Sequence, residues 1–88
     1  MKTIGFSNHA LEQMPDRGAT REEVELTIRA GERTLAKGGR STFRKNFSFQ
    51  RVWKGRYYEI KQVMPVVVEE SDRIVVVTVY TFYFGEKT

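Results

Sequence analysis

The side chain best suited to proton transfer in this sequence is its single histidine, His9. An imidazole changes charge near neutral pH, so it can act as a general acid or base. Gln13 follows one turn later and would share the same face of a regular helix. That face lies about 100° or more from the apolar stripe formed by Ala10, Leu11 and Met14. We therefore expect His9 at a boundary or on the surface, where an incidental helix-end histidine is the alternative interpretation.

Basic side chains are concentrated in the middle of the chain. Residues 29–61 hold ten Lys and Arg against two Glu, a local charge of +8, whereas residues 1–28 and 62–88 each carry −2. This distribution indicates a surface that faces a polyanion, although a solvated basic face without a partner has the same pattern. The side chains that we predict to bind nucleic acid are Arg44, Lys45, Arg51, Lys54, Arg56 and Lys61.

Two of these cations, Lys45 and Arg51, interrupt an apolar row of a predicted strand. The other members of that row are Phe43, Phe47, Phe49 and Trp53. Because burying an unpaired charge costs free energy, the row must open to solvent, reach a sheet edge or face an anion. Rings between cations are suited to single-stranded nucleic acid, since rings stack on bases and cations bind phosphates.

Thr78 and Tyr80 are polar members of the last strand, with Thr81 and Tyr83 beyond them. On an open sheet face the hydroxyls of Thr78 and Tyr80 could orient a phosphate. β-branched and aromatic residues are also ordinary strand formers, so a purely structural role is the alternative.

Composition excludes several other kinds of chemistry. The 88 residues suit one domain, residues 1–88, with a helical part over 1–31 and an antiparallel β meander over 32–88. The chain has no Cys and one His, which rules out disulfides and the usual zinc ligand sets. No apolar run reaches the roughly 18 residues of a membrane span, and residues 1–7 contain no apolar signal-peptide core. We expect a small soluble cytoplasmic protein that needs no metal or other cofactor and has no membrane partner.

The N-terminal third predicts a short strand and a first helix. A weak alternation predicts a short strand over Lys2–Phe6. Ser7 is a suitable N-cap for a helix over about 8–14. Pro15 lacks a backbone N–H and should end or kink this helix between His9 and Arg17.

The second helix has clearer boundaries. Thr20 and Glu23 fit a capping box, in which each side chain bonds the backbone N–H of the other residue. Gly31 is a natural C-terminal stop.

The rest of the chain alternates with a period of two, which predicts strands. The predicted strands are Glu32–Lys37, about 42–53, Arg56–Val68 and Arg73–Phe84. Pro65 should lie at a sheet edge or bulge, because it cannot donate to a ladder. The last strand is apolar on both faces and predicts a central strand covered on two sides. The predicted fold is therefore α+β, with two N-terminal helices packed on one face of a roughly four-stranded antiparallel sheet.

Short motifs at both ends of the chain carry a family resemblance. They are Ser7-Asn8-His9-Ala10, Gln13-Met14, Arg17-Gly18 and the closing segment Ile74–Tyr80. The chain resembles the bacterial domain-of-unknown-function family number 4258, whose opening pattern is Ser/Thr-x-His-Ala followed by Met and Arg-Gly. That family is similar to the RelE and barnase-like group of small toxin ribonucleases.

The resemblance implies cleavage of RNA without a metal, with His9, Arg17 and Thr78 at matching positions and Tyr80 beside them. The partners it implies are RNA or another nucleic acid and a cognate antitoxin protein. The alternative from a different class is a non-catalytic module that binds nucleic acid or a protein, which explains the basic middle equally well and does not require His9.

Overall fold

The structure, a computed structural model, describes residues 2–85, which form two helices and one sheet. In chain order the elements are β1 (Thr3–Phe6), α1 (Asn8–Arg17), α2 (Arg21–Ala30), β2 (Glu32–Ala36), β3 (Arg40–Trp53), β4 (Arg56–Glu69) and β5 (Arg73–Phe84). The strand order in the sheet is β1-β5-β4-β3-β2. The α+β class is confirmed. Neither helix of this described part is long and apolar enough to cross a membrane.

The expected sheet of about four antiparallel strands is corrected to five strands in a mixed sheet. β1 pairs in parallel with β5, and its register places Ile4 opposite Ile74 and Phe6 opposite Val76. The other neighbouring strands are antiparallel. A four-residue strand whose partner lies 70 positions away leaves little trace in local alternation, which is why the sequence pattern did not reveal this pairing.

The first helix begins as predicted but ends later. The Ser7 hydroxyl accepts a hydrogen bond from the backbone N–H of Ala10 at 3.1 Å, which caps the N-terminus. The helix continues through Pro15 to Arg17 and ends at Gly18, which has φ 73°. The predicted end at Pro15 is therefore wrong. The missing N–H removes only one helical bond, and the exposed Pro15 ring meets no crowded neighbour there.

The second helix and the long hairpin follow the predictions closely. The reciprocal capping box is present, with bonds of 3.1 Å to Thr20 Oγ1 and 3.0 Å to Glu23 Oε1, and Gly31 caps the other end. Strands β3 and β4 are joined by Lys54 and Gly55, both at positive φ, as a tight two-residue hairpin requires.

Both helices pack on the same face of the sheet. The buried apolar residues are Ala10, Met14, Ala19, Val24, Ile28, Phe43, Val63, Val67, Val76 and Val79. Pro65 is also fully buried, in the central strand β4. It lies two residues before Val67, where the register between β4 and β5 shifts.

No helix covers the opposite face of the sheet within the described residues. We call this surface the open face. Its residues, from the register and the alternation, are Arg40, Thr42, Arg44, Asn46 and Ser48 of β3; Ile60, Gln62, Met64, Val66 and Val68 of β4; and Val75, Thr78, Tyr80, Phe82 and Phe84 of β5. The expectation that β5 is covered on two sides is wrong, because Tyr80, Phe82 and Phe84 remain 39%, 44% and 41% exposed.

An aromatic cluster around Tyr83 joins the hairpin to the end of α1. The Trp53 ring stacks on Tyr83 at 5.2 Å, and Phe49 and Tyr58 pack against the same ring at tilted angles. The Tyr83 hydroxyl donates to the Arg17 carbonyl at 2.7 Å. Burial raises the pKa of this phenol above its ordinary value.

We expect Gly18→Ala to destabilise the protein much more than Gly38→Ala, its matched control. Both glycines have φ 73°, but a Cβ at position 18 would lie 2.5 Å from the Tyr83 hydroxyl, whereas a Cβ at position 38 meets no atom within 4 Å. The left-handed backbone alone costs about 1–2 kcal/mol, and overpacking adds about 1–3 kcal/mol at position 18 only. Urea denaturation of the two variants measures the difference, and equal losses would contradict the packing of the cluster.

A second prediction concerns acid stability at Glu69. Its Oε2 accepts bonds from the Ser41 hydroxyl at 2.7 Å and from Arg33 Nη2 at 2.6 Å. These two bonds, that from Ser41 foremost, lower the pKa of Glu69 below its ordinary 4.5. A lowered folded-state pKa stabilises the protein above pH 4.5, and this contribution is lost as pH falls through the folded-state value.

The wild type should therefore lose more stability than Glu69→Gln between pH 7 and pH 3. Urea unfolding at a series of pH values gives both free energies, and their difference should shrink on acidification. A difference that stays constant with pH would show that the ionised carboxylate contributes nothing to folding.

Candidate functional site

One margin of the sheet is exposed where β1 stops. β1 pairs with β5 only as far as Val76, so β5 from Val77 to Phe84 has no strand on that side among the described residues. We call this segment the β5 edge. The first helix runs alongside it: the Ser7 N–H donates to the Val76 carbonyl at 2.9 Å, and the Val79 N–H donates to Gln13 Oε1 at 3.1 Å. The Gln13 side chain thus pairs with a backbone N–H group of β5 that has no neighbouring strand.

His9 is fixed beside the β5 edge by these contacts. It lies between Ser7 and Gln13 in the chain and one helical turn before Gln13, so its backbone is level with Val77 and Thr78. The side chain is exposed, as expected from the sequence, and makes no hydrogen bond or ion pair with any of residues 2–85. Its imidazole is therefore accessible to a ligand.

Arg17 lies two turns further along the same helix. Its carbonyl accepts hydrogen bonds from the hydroxyls of Thr81 and Tyr83, both at 2.7 Å. Its guanidinium carbon is 5.1 Å from the centre of the Tyr80 ring, a cation–π distance. Because α1 continues through Pro15, His9 and Arg17 belong to one helix next to the β5 edge.

Thr78 and Tyr80 lie on the open face, one row apart. The register pairs Thr78 with Val66 and Tyr80 with Met64. Tyr80 is 39% exposed, while its ring is held against Arg17. The four predicted catalytic residues, two on α1 and two on β5, are thereby arranged along the β5 edge.

Arg44 is the predicted nucleic-acid contact that shares a row with them. The β3–β4 register places it opposite Met64, so two strand spacings of about 4.8 Å separate its backbone from that of Tyr80. Its guanidinium is 3.9 Å from the exposed Glu32 carboxylate. Tyr80 therefore has one arginine on each side, with Arg17 at the edge and Arg44 across the face.

Four other predicted nucleic-acid contacts lie away from the row that Arg44 shares with Tyr80. Lys45, Arg51 and Lys54 each have their charged group 5.2–5.4 Å from the ring of a neighbouring Phe or Trp. The hairpin end, which includes Arg56, is ten residues along β4 from the level of Thr78, a distance of roughly 33 Å for an extended strand. The structure does not bring the backbone of Arg51, Lys54 or Arg56 to the level of Thr78 and Tyr80.

Lys61 has a different role from the one predicted. Its residue is 4% exposed, and its ammonium donates to Glu23 Oε1 and to the Gly18 carbonyl, both at 2.8 Å. The Glu23 Oε2 is 2.7 Å away, and the Phe49 ring lies 5.3 Å from the same nitrogen. Lys61 thus fastens the helices to the sheet and is not available to a phosphate, so we leave it out of the proposed site.

Three residues of the open face, Asn46, Gln62 and Phe82, were not predicted from the sequence as part of a site. They occupy adjacent positions on three neighbouring strands, and Gln62 Nε2 donates to Asn46 Oδ1 at 2.9 Å. Alternation in the sequence predicts which residues share one face of each strand. It does not predict which of the two faces the helices cover. Residues 2–85 contain no group of three or more His, Cys, Asp or Glu side chains placed to hold a metal ion.

Comparison with protein families gives one match, to a domain of unknown function, DUF4258, over residues 6–81. No curated protein and no solved structure matches the chain. The matched segment contains α1, Thr78 and Tyr80 of the β5 edge, and Arg44.

We expect Lys61→Met to destabilise the protein by about 3–5 kcal/mol, because it leaves the Glu23 carboxylate without its partner. In Lys61→Met/Glu23→Gln the loss should be smaller than in the single lysine variant, since no uncompensated charge is left. Urea denaturation of the three proteins measures this coupling. An unchanged unfolding free energy in Lys61→Met would show that the ammonium is not part of the folded core.

Proposed function

The chain belongs to the DUF4258 family, and from the geometry of its β5 edge we propose that it is a metal-independent endoribonuclease. The observation that carries this proposal is the bond between the Val79 N–H and Gln13 Oε1, which holds His9 and Arg17 next to the hydroxyl residues Thr78 and Tyr80. A general acid or base can transfer the protons of intramolecular RNA cleavage, and a cation and hydroxyl donors can stabilise the charge on the phosphate.

The proposed reaction uses the nucleophile that RNA itself supplies. The 2′-hydroxyl attacks the adjacent phosphorus, its proton passes to a base, the bond from phosphorus to the 5′-oxygen breaks, and that oxygen receives a proton. The products are a 2′,3′-cyclic phosphate and a 5′-hydroxyl. His9 would exchange one of these protons, with the other exchanged by solvent. Because the attack is intramolecular, the protein has only to supply proton transfer and charge stabilisation.

The charge on the reacting phosphate would be stabilised by Arg17, with Arg44 holding a neighbouring phosphate. The Tyr80 ring supports the Arg17 guanidinium at 5.1 Å and limits its motion. Hydroxyl donors at Thr78 and Tyr80 would bind the non-bridging oxygens. Such preorganised donors and cations typically contribute several kcal/mol to lowering a barrier of this kind.

The fold and charge are consistent with a place among the RelE and barnase-like ribonuclease toxins. Both helices lie on one face of the sheet, which leaves the other face open to a substrate. A basic middle segment of +8 suits a polyanionic substrate. Such a toxin would act on RNA in the cytoplasm and would be held inactive by a cognate antitoxin protein.

The alternative function, a non-catalytic nucleic-acid-binding module, is favoured by the open face itself. Its half-exposed aromatic residues on β5 could bind a strand without any contribution from His9. Neutralising about five phosphates of a single strand gives a log-affinity slope near −3.5 against log salt. Binding with that slope but without cleavage would favour the module, and a flat salt response would favour a protein partner instead.

The nuclease proposal predicts that the purified protein cleaves a fluorogenic RNA in excess chelator and that His9→Ala lowers the rate roughly 10²–10⁴-fold. Glu12→Ala is a matched control, because Glu12 is also exposed on α1. An all-deoxy version of the substrate should not be cleaved by any of the proteins, since it lacks the nucleophile. Equal rates for the wild type and His9→Ala, or equal cleavage of the deoxy substrate, would contradict the mechanism.

A further inference from the structure

One row of the open face, formed by Asn46, Gln62 and Phe82, has no part in the proposed reaction. Gln62 is the register partner of both other residues, so the three side chains lie next to one another across three strands. Directly paired residues have Cβ atoms about 5 Å apart. A flat group resting on the Phe82 ring would therefore have its edge beside the Gln62 amide.

The amide pair still has free hydrogen-bonding groups. Gln62 Nε2 donates to Asn46 Oδ1 at 2.9 Å, and no bond within residues 2–85 occupies Gln62 Oε1 or the Asn46 Nδ2 group. The pair therefore keeps a free acceptor on Gln62 and a free donor on Asn46. Asn and Gln amides use this combination to bind adenine, whose edge offers an amino donor beside a ring-nitrogen acceptor.

A cavity of about 330 Å³ lies beside this row. Its lining residues are Glu32, Arg44, Lys45, Asn46 and Gln62. That volume is at the lower end of the range for small-ligand sites, which suits a group no larger than one nucleotide. The exposed Arg44–Glu32 pair spans 3.9 Å, so its attraction is weak and Arg44 can exchange Glu32 for a phosphate.

Phe82 supplies a stacking surface at the right distance from the proposed site of cleavage. Its side chain is 44% exposed on the open face, although it is a large apolar ring. It lies two residues beyond Tyr80, about 6.8 Å along the strand, which is twice the 3.4 Å rise per nucleotide of a stacked strand. An unstacked strand can thus place one base on Phe82 while the next phosphate reaches Tyr80 and Arg17.

Resting on the proposed function, we propose that Phe82, Gln62, Asn46 and Arg44 form a subsite for one adenine of single-stranded RNA. The base stacks on Phe82, its edge bonds the amide pair, and Arg44 binds the adjacent phosphate. Because the base must leave its helix to reach this ring, double-stranded RNA cannot occupy the subsite. A protein partner that covered this row would have to pair both amides, because a buried polar group without a hydrogen bond costs free energy.

Fluorescence anisotropy with labelled octamers tests this subsite. The probes are 2′-O-methyl oligo(A), oligo(C) and oligo(U), which cannot be cleaved through a 2′-hydroxyl, and a duplex of oligo(A) with oligo(U). The wild type should bind oligo(A) most tightly and the duplex least. Phe82→Leu should weaken oligo(A) binding roughly 10- to 100-fold. Gln62→Met should remove the preference for oligo(A) over oligo(C).

Leu35→Ala is the control for loss of an exposed apolar side chain, because Leu35 is 73% exposed on β2, away from this row. It should bind like the wild type, and urea denaturation should show that all variants are folded. Wild-type affinity in Phe82→Leu, or equal affinity of the wild type for all probes, overturns the subsite. So does a wild-type dimer that Phe82→Leu dissociates, since a second copy would then cover this face. Failure to cleave unmodified RNA would contradict the nuclease alone, because these binding measurements do not depend on cleavage.

Discussion

The hydrogen bond from the Val79 N–H to Gln13 Oε1 is the contact on which the arrangement of this protein depends. An antiparallel sheet leaves unpaired N–H groups along its margin, and an unpaired group buried under a helix is costly. β1 pairs with the backbone of β5 only up to Val76. Beyond that residue, the Gln13 side chain of α1 accepts the hydrogen bond from Val79 N–H. The helix is thereby held parallel to β5, with His9 and Arg17 at fixed positions along it.

The described residues cover one face of the sheet and leave the other face open. Both helices are used on one face, and the buried pair of Lys61 and Glu23 fastens them there. The other face keeps apolar and aromatic side chains in partial contact with water, which reduces the stability that the sheet gains from burial. The same exposure leaves Tyr80 and Phe82 accessible to a ligand. The same topology thus places both helices on one face of the sheet and leaves the other face accessible to a ligand.

Local chemistry was predictable from the sequence, whereas contacts distant in the chain were not. The capping box of Thr20 and Glu23 needs only neighbouring residues, and it forms as expected. The pairing of β1 and the burial of Lys61 depend on partners about 40 to 70 positions away. Of the candidate site, the surface position of His9 followed from helical periodicity. The Phe82 row could not be found, because alternation defines two faces of a strand without saying which one the helices cover.

We propose that RNA binds across the open face to the β5 edge. Mapping of amide chemical shifts by NMR tests this binding mode. On titration with the non-cleavable 2′-O-methyl oligo(A), the amides of His9, Thr78, Tyr80 and Phe82 should shift together, while those of the outer surface of α2 stay in place. Shifts confined to the hairpin end around Lys54, with His9 and Tyr80 unmoved, would contradict the account.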